Sequence, residues 1–248
     1  MEENKQKDAN EETKELEPHN SDKRDFTFDT ENLKNETSST IDQVRETIKK
    51  VNLKEDTAET KGFLLEFVKN PINQIKEIAN TDRTYFKTAI VLLIIWAAAE
   101  FAKILFYVID FNSLSNFLRY GLLDSIISII LATISPVLGI VVLSLILLIM
   151  NKERKKSLSA IIATVTLART PSILAAVINL LTIINSQVYK ITVPVSGFCR
   201  VISTVLLYFG IKELFQKDDD NSFVKTFVVI EAIYFVASFI LSFLNISL

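Results

Sequence analysis

Glu100, Arg169, Arg200 and Glu231 each interrupt a long apolar run, as in IIATVTLARTPSILAAV (161–177). At the centre of a membrane helix such a charge costs about 2.5–3.5 kcal/mol on insertion scales, so each needs a partner or water. Counted from the basic end of each run at about 1.5 Å per residue, Glu100 and Arg169 lie ~18 Å deep, Arg200 ~16 Å and Glu231 ~14 Å. Two acids and two arginines from four helices therefore share one depth band. Lys103 and Asp124 fall nearer the opposite surface. The spacing predicts a neutral buried network, Glu100 and Glu231 with Arg169 and Arg200, and Lys103 with Asp124. Two chemistries fit such a network. Paired charges can fix helix register, or they can form a proton or ion relay or a ligand site.

Two prolines fall at matching depth. Ser135-Pro136 with Gly139 sits mid-run in one segment and Thr170-Pro171 in the next. Proline removes a backbone hydrogen bond, so kinks are expected at Pro136 and Pro171, either as packing devices or as the broken helices of a transport site.

Other chemistry is not encoded. The single His, His19, lies in a polar tail, and Cys199 is the single Cys. That excludes an intramolecular disulfide, a zinc site of the usual ligand count and a His-based nucleophile pair. There is no HExxH and no Walker A loop. Ser196 in VSGFC has no base beside it, and KDDD (217–220) lacks the spaced ligands of a calcium loop. No catalytic, cofactor-binding or metal residue is assigned, no cofactor is expected, and the chain does not read as an enzyme.

The elements that position the charges follow from composition. The chain has 248 residues and is 49% hydrophobic. Residues 1–60 carry 17 acidic and 10 basic side chains, and the rest carry 12 and 17. Apolar runs at approximately 88–109, 122–150, 157–184, 193–211 and 223–246 are each near the ~20 residues that a span needs. Lys and Arg concentrate before the first run, in NKERKK (151–156) and at 212–225, while Arg119 and Lys190 are the basic residues of the other connections. The positive-inside rule then gives a cytoplasmic N-terminus. The fold class is all-α: a polytopic membrane bundle of about five spans over residues 82–248.

Residues 1–60 read as a disordered acidic cytoplasmic tail with no signal-peptide pattern. Within it, Ile41, Val44, Ile48 and Val51 recur at helical spacing over 40–53, a short amphipathic helix suited to recruiting a partner. Residues 61–81 read as interfacial helices. There Asn70-Pro71 suits a helix start, and Ile72, Ile75 and Ile78 share one face. The expected partners are the bilayer and a membrane or cytoplasmic protein met through the tail, with no nucleic acid. Abundant Lys, Asn and Ile suggest a Gram-positive cell membrane.

The polar tail, FVKNPINQIKEI (67–78), the closely spaced runs and TLARTPSILAAV (166–177) together resemble the Yip1 family of small integral membrane proteins, in its bacterial form. The resemblance covers roughly residues 62–246 and implies a non-enzymatic membrane protein. The Asp-Leu-Tyr-Gly-Pro signature of eukaryotic members is missing, so their association with small GTPases is not carried over. The tail also lacks the cysteines of the zinc ribbon often found in bacterial relatives. The two functional expectations are a membrane adaptor working through the tail and a small transporter or channel using the midplane charges.

Overall fold

In the computed structural model residues 30–50, 53–81, 84–109, 122–150, 156–184, 186–216 and 220–242 are described. Val51, Arg119, Lys217, residues 1–29 and residues 151–155 lie outside them, as does the side chain of Asp124. The protein is an all-α membrane helix bundle, with no strand among the described residues. In chain order the helices are α1 (Thr30–Lys50), α2 (Leu53–Lys69), α3 (Pro71–Asn80), α4 (Phe86–Ile109), α5 (Leu122–Met150), α6 (Leu158–Ala168), α7 (Thr170–Asn179), the short α8 (Leu181–Ile184), a 3₁₀ turn (Ser186–Val188), α9 (Tyr189–Phe215) and α10 (Asp220–Ser242).

Among the described residues, Phe86–Phe106, Ile129–Met150 and Tyr189–Phe215 are long and apolar enough to cross a membrane. A fourth span appears if Leu158–Ala168 and Thr170–Ile183, bent by 51°, count as one. The last apolar run lies on α10. The outer faces of α4, α5, α9 and α10 expose Phe101, Ile130, Phe198 and Phe235. Large apolar side chains turned outward suit a lipid surround, because helices with every backbone group paired internally can face hydrocarbon.

At the centre is α6. All eleven of its residues are buried, because α1, α3, α4, α5 and α9 pack around it. Its start is capped by Ser157, whose Oγ accepts from the Ala160 N–H at 3.3 Å. Buried Thr164 returns its hydroxyl to the Ala160 carbonyl at 2.9 Å, so the polar atom is satisfied within the helix.

The break after α6 falls on Arg169, two residues before Pro171. Pro171 lacks an N–H, and its ring crowds the carbonyl four residues back, so the ladder ends there. Arg169 takes φ −88° and ψ 5°, and the chain restarts with the Ile173 N–H donating to the Arg169 carbonyl at 3.0 Å. The kink expected at Pro136 is different. Pro136 lies inside α5, which runs unbroken from Leu122 to Met150. One lost bond in an apolar run leaves the other pairs no water to exchange with, so the helix continues through it. The matched pair of breaks read from the sequence reduces to one.

Two further expectations change. Helix α1 begins at Thr30 and α2 at Leu53, so the segment read as a disordered tail is helical over residues 30–50 and 53–60. Thr40 is buried and Val44 packs on the core, so α1 gains from docking what its composition lacks. The second concerns α3, whose isoleucine stripe turns into the bundle. Ile75 and Ile78 are fully buried against α6 and α9, while Ile72 is 37% exposed. Asn70 precedes Pro71 without a side-chain cap. Asn80 Nδ2 donates to Glu213 Oε1 at 2.8 Å, and the Lys76 ammonium lies 5.8 Å from the centroid of the Phe209 ring. The turn into α4 is held by the Tyr85 hydroxyl, which donates to Glu77 Oε1 at 2.7 Å. Burial, then that hydrogen bond and the carboxylate charges of Glu77 and Glu66, push the Tyr85 pKa up to about 12.

Gly210 makes the close approach of α3 possible. A Cβ at this position would sit 2.8 Å from Thr164 Cγ2 and 2.9 Å from Ile75 Cγ2, so α3, α6 and α9 meet where no side chain fits. Gly210→Ala is expected to destabilise the protein by about 1–3 kcal/mol through overpacking. Denaturant unfolding of the purified protein checks it, and unchanged stability would show that the three helices are not wedged together there.

Candidate functional site

Beyond the Arg169 break the helices border a half-open cavity of about 560 Å³. Each wall is a stripe at helical spacing. From α4 come Trp96, Glu100 and Lys103, and from α5 come Ala132, Ser135, Pro136 and Gly139. From α7 come Ser172, Ala175, Ala176 and Asn179, and from α9 come Ser196 and Arg200. Arg169 and Tyr234 of α10 complete the lining. Positions three, four and seven apart share a helix face, so these sets are what a 3.6-residue repeat turns inward. Small residues on α5 and α7 leave the space.

Helices α7 and α9 are joined beside it by two polar rungs. At one, the Ser172 and Ser203 hydroxyls are 2.8 Å apart, and the Ser172 N–H donates to Ser203 Oγ at 3.2 Å. At the other, Asn179 Nδ2 donates to Ser196 Oγ at 3.0 Å, and Ser196 Oγ also donates to the Thr192 carbonyl at 2.7 Å. The sequence reading missed this ladder. Its signal was present: Ser172 and Asn179 are seven apart, as are Ser196 and Ser203, which is the register of two antiparallel helices that meet.

Of the six charged residues read from the sequence, Glu100, Lys103, Arg169 and Arg200 line this one cavity. The pairing differs from the expected one. Lys103 Nζ lies 3.5 Å from Glu100 Oε2, an ion pair within α4, because three residues along a helix brings two side chains together without any tertiary demand; the expected partner Asp124 has its side chain outside the described residues. Arg200 is exposed rather than buried. No described carboxylate forms an ion pair with Arg169 or Arg200. The Arg169 guanidinium instead lies 5.7 Å from the centroid of the Tyr234 ring, and its Nε–H is buried without an acceptor. Glu231, one turn before Tyr234 on α10, feels the Arg169 charge but is not part of the lining. Pro136 and the residue after the break, Thr170, flank the site; the Thr170 hydroxyl is also buried and unpaired.

The wall thus carries three cations, one acid and several hydroxyl or amide groups, with no nucleophile–base pair. Among the described residues no group of three or more His, Cys, Asp or Glu could hold a metal ion. The tail residues lie elsewhere: Val44 packs on the core while Ile41 and Ile48 are exposed.

The model of the Yip1 domain matches residues 65–242. The chain belongs to the Yip1 family. No curated protein and no solved structure matches it. The Yip1 domain here contains every residue of the cavity, the Arg169 break and the α3 wedge. Helix α1 and most of α2 precede it. This Yip1 protein is therefore a multi-pass helical domain with a docked helical extension.

The Arg169 environment generates a test. Arg169→Gln is expected to destabilise the protein by removing the positive charge that acts on Glu231, and Glu231→Gln in the same chain is expected to recover part of the loss. A coupling of about 0.5–3 kcal/mol is anticipated for neighbours of this kind. Thermal unfolding of the two single variants and the double variant measures it, and simple additivity would mean that the two residues are independent.

Proposed function

We propose that this Yip1-family protein is a non-enzymatic membrane adaptor that recruits a protein partner through α1. One observation carries the reading. Helix α1 lies outside the Yip1 domain, is held to the bundle by Thr40 and Val44, and turns Ile41 and Ile48 outward with 57% and 53% exposure. These two side chains are seven residues apart, hence on one face, and stand among exposed Asp42, Arg45, Glu46 and Lys49. An apolar pair inside a charged rim has the anatomy of a protein interface rather than of a lipid contact. Docking pre-orders the helix, which lowers the entropy cost of capture. The distribution of Lys and Arg, through the positive-inside rule, supports a cytoplasmic position for this face.

The test is cross-linking in intact cells followed by affinity capture of the full chain. Ile48→Asp is expected to abolish capture of the partner without lowering the protein level, since its side chain is not in the core. Capture at wild-type strength would sink the α1 reading.

A second reading, a small transporter or channel, is favoured by the cavity, whose volume falls within the ~300–1,000 Å³ usual for small-molecule sites and which adjoins a broken span. It predicts that Arg169→Gln abolishes solute flux in reconstituted vesicles while the protein still inserts. Flux equal to wild type would remove the charges from the path.

A further inference from the structure

We infer that the cavity is a binding site for an oxyanion, a phosphate-type group borne either by a lipid headgroup or by a free small molecule. Charge balance is the first support. Among the described residues the lining holds Lys103, Arg169 and Arg200 against Glu100 alone, and Glu100 is already matched by Lys103. Glu231, on α10 and outside the lining, interacts with Arg169. Arg200 then has no described counter-charge. An excess cation on a cavity wall attracts an incoming anion.

The second support is the state of Arg169. Tyr234 lies against the guanidinium, but the N–H donors of arginine lie in its plane, and the Nε–H is buried with no acceptor. A buried donor left unpaired is costly, and nearby negative charge relieves part of that cost. Ser172, Asn179 and Ser196 add neutral groups along the wall. Two arginines from separate helices can meet the oxygens of one planar or tetrahedral anion from two sides, a geometry in which arginine outperforms lysine. This reading shares its cavity with the transport reading but concerns binding at equilibrium. Binding without flux would therefore overturn transport and leave the anion site standing.

The protein carries its own reporter, because Trp96, its single tryptophan, lines the cavity. The experiment uses the full chain in phosphatidylcholine nanodiscs. Trp96 emission and the thermal midpoint are followed while inorganic phosphate is added, with chloride at the same ionic strength as control. A second series replaces part of the phosphatidylcholine by phosphatidylglycerol. The expected result is a saturable change in emission and a raised midpoint, with phosphate if the anion is free or with phosphatidylglycerol if it is a lipid headgroup. Chloride should not reproduce either. Arg200→Gln, whose exposed side chain should leave the fold intact by circular dichroism, is expected to weaken the response about tenfold or more, with Arg200→Lys in between. Absence of a saturable response in both series, or a response unchanged by Arg200→Gln, would overturn the proposal.

Discussion

Complete burial of α6 is the constraint on which the remaining structure depends. A helix with no exposed side must be surrounded, and each of its five neighbours is fixed by what it presents to α6 or to the neighbour beside it. The α3 helix can come close enough only because Gly210 of α9 has no side chain. Its Ile75 and Ile78 then close the side of α6 that two membrane spans alone would leave open. Helix α1 covers another part of the surface through Thr40 and Val44. The segments before the first span are therefore structural parts of the bundle, and the domain match beginning at residue 65 includes the one that acts as a wedge.

Burial also explains why the polar features collect where they do. The sheathed half of the broken span, α6, satisfies Thr164 by bonding back to its own carbonyl. The other half, α7, begins just after Arg169 and turns serine, alanine and asparagine toward open space. A backbone break at membrane depth is tolerable where it borders a cavity and intolerable against lipid. The arginine, the break and the cavity are thus one solution to one problem, since a guanidinium needs room and polar company that a straight apolar helix cannot supply.

Much of this was legible in the sequence because hydrophobic length and charge are local properties. The apolar runs fall on α4 to α10, and the depth arithmetic brought Glu100, Arg169 and Arg200 to one level, where they share a cavity. Their partners were not legible. Lys103 met Glu100 on its own helix, a contact of neighbours that depth counting passes over. Proline gave a break at Arg169, while α5 continues through Pro136 beside the same cavity, a difference that the two prolines alone do not encode. The α3 helix was read as interfacial since its Ile75–Ile78 stripe has the same period whether lipid or protein covers it. The Ser172–Ser203 and Asn179–Ser196 rungs had regular spacing but no hydrophobic signature to draw notice.

Those rungs have a mechanical consequence. They fasten α7 to α9 at two points one heptad apart, so the two helices behave as a single stiff plate on the far side of the break. Helix α6, clamped on all sides, is the fixed post. Arg169 is the only residue between post and plate. Any rocking of the plate must therefore be taken up at the backbone of the same residue whose side chain faces the cavity, so the shape of that space and the aim of its central charge change together.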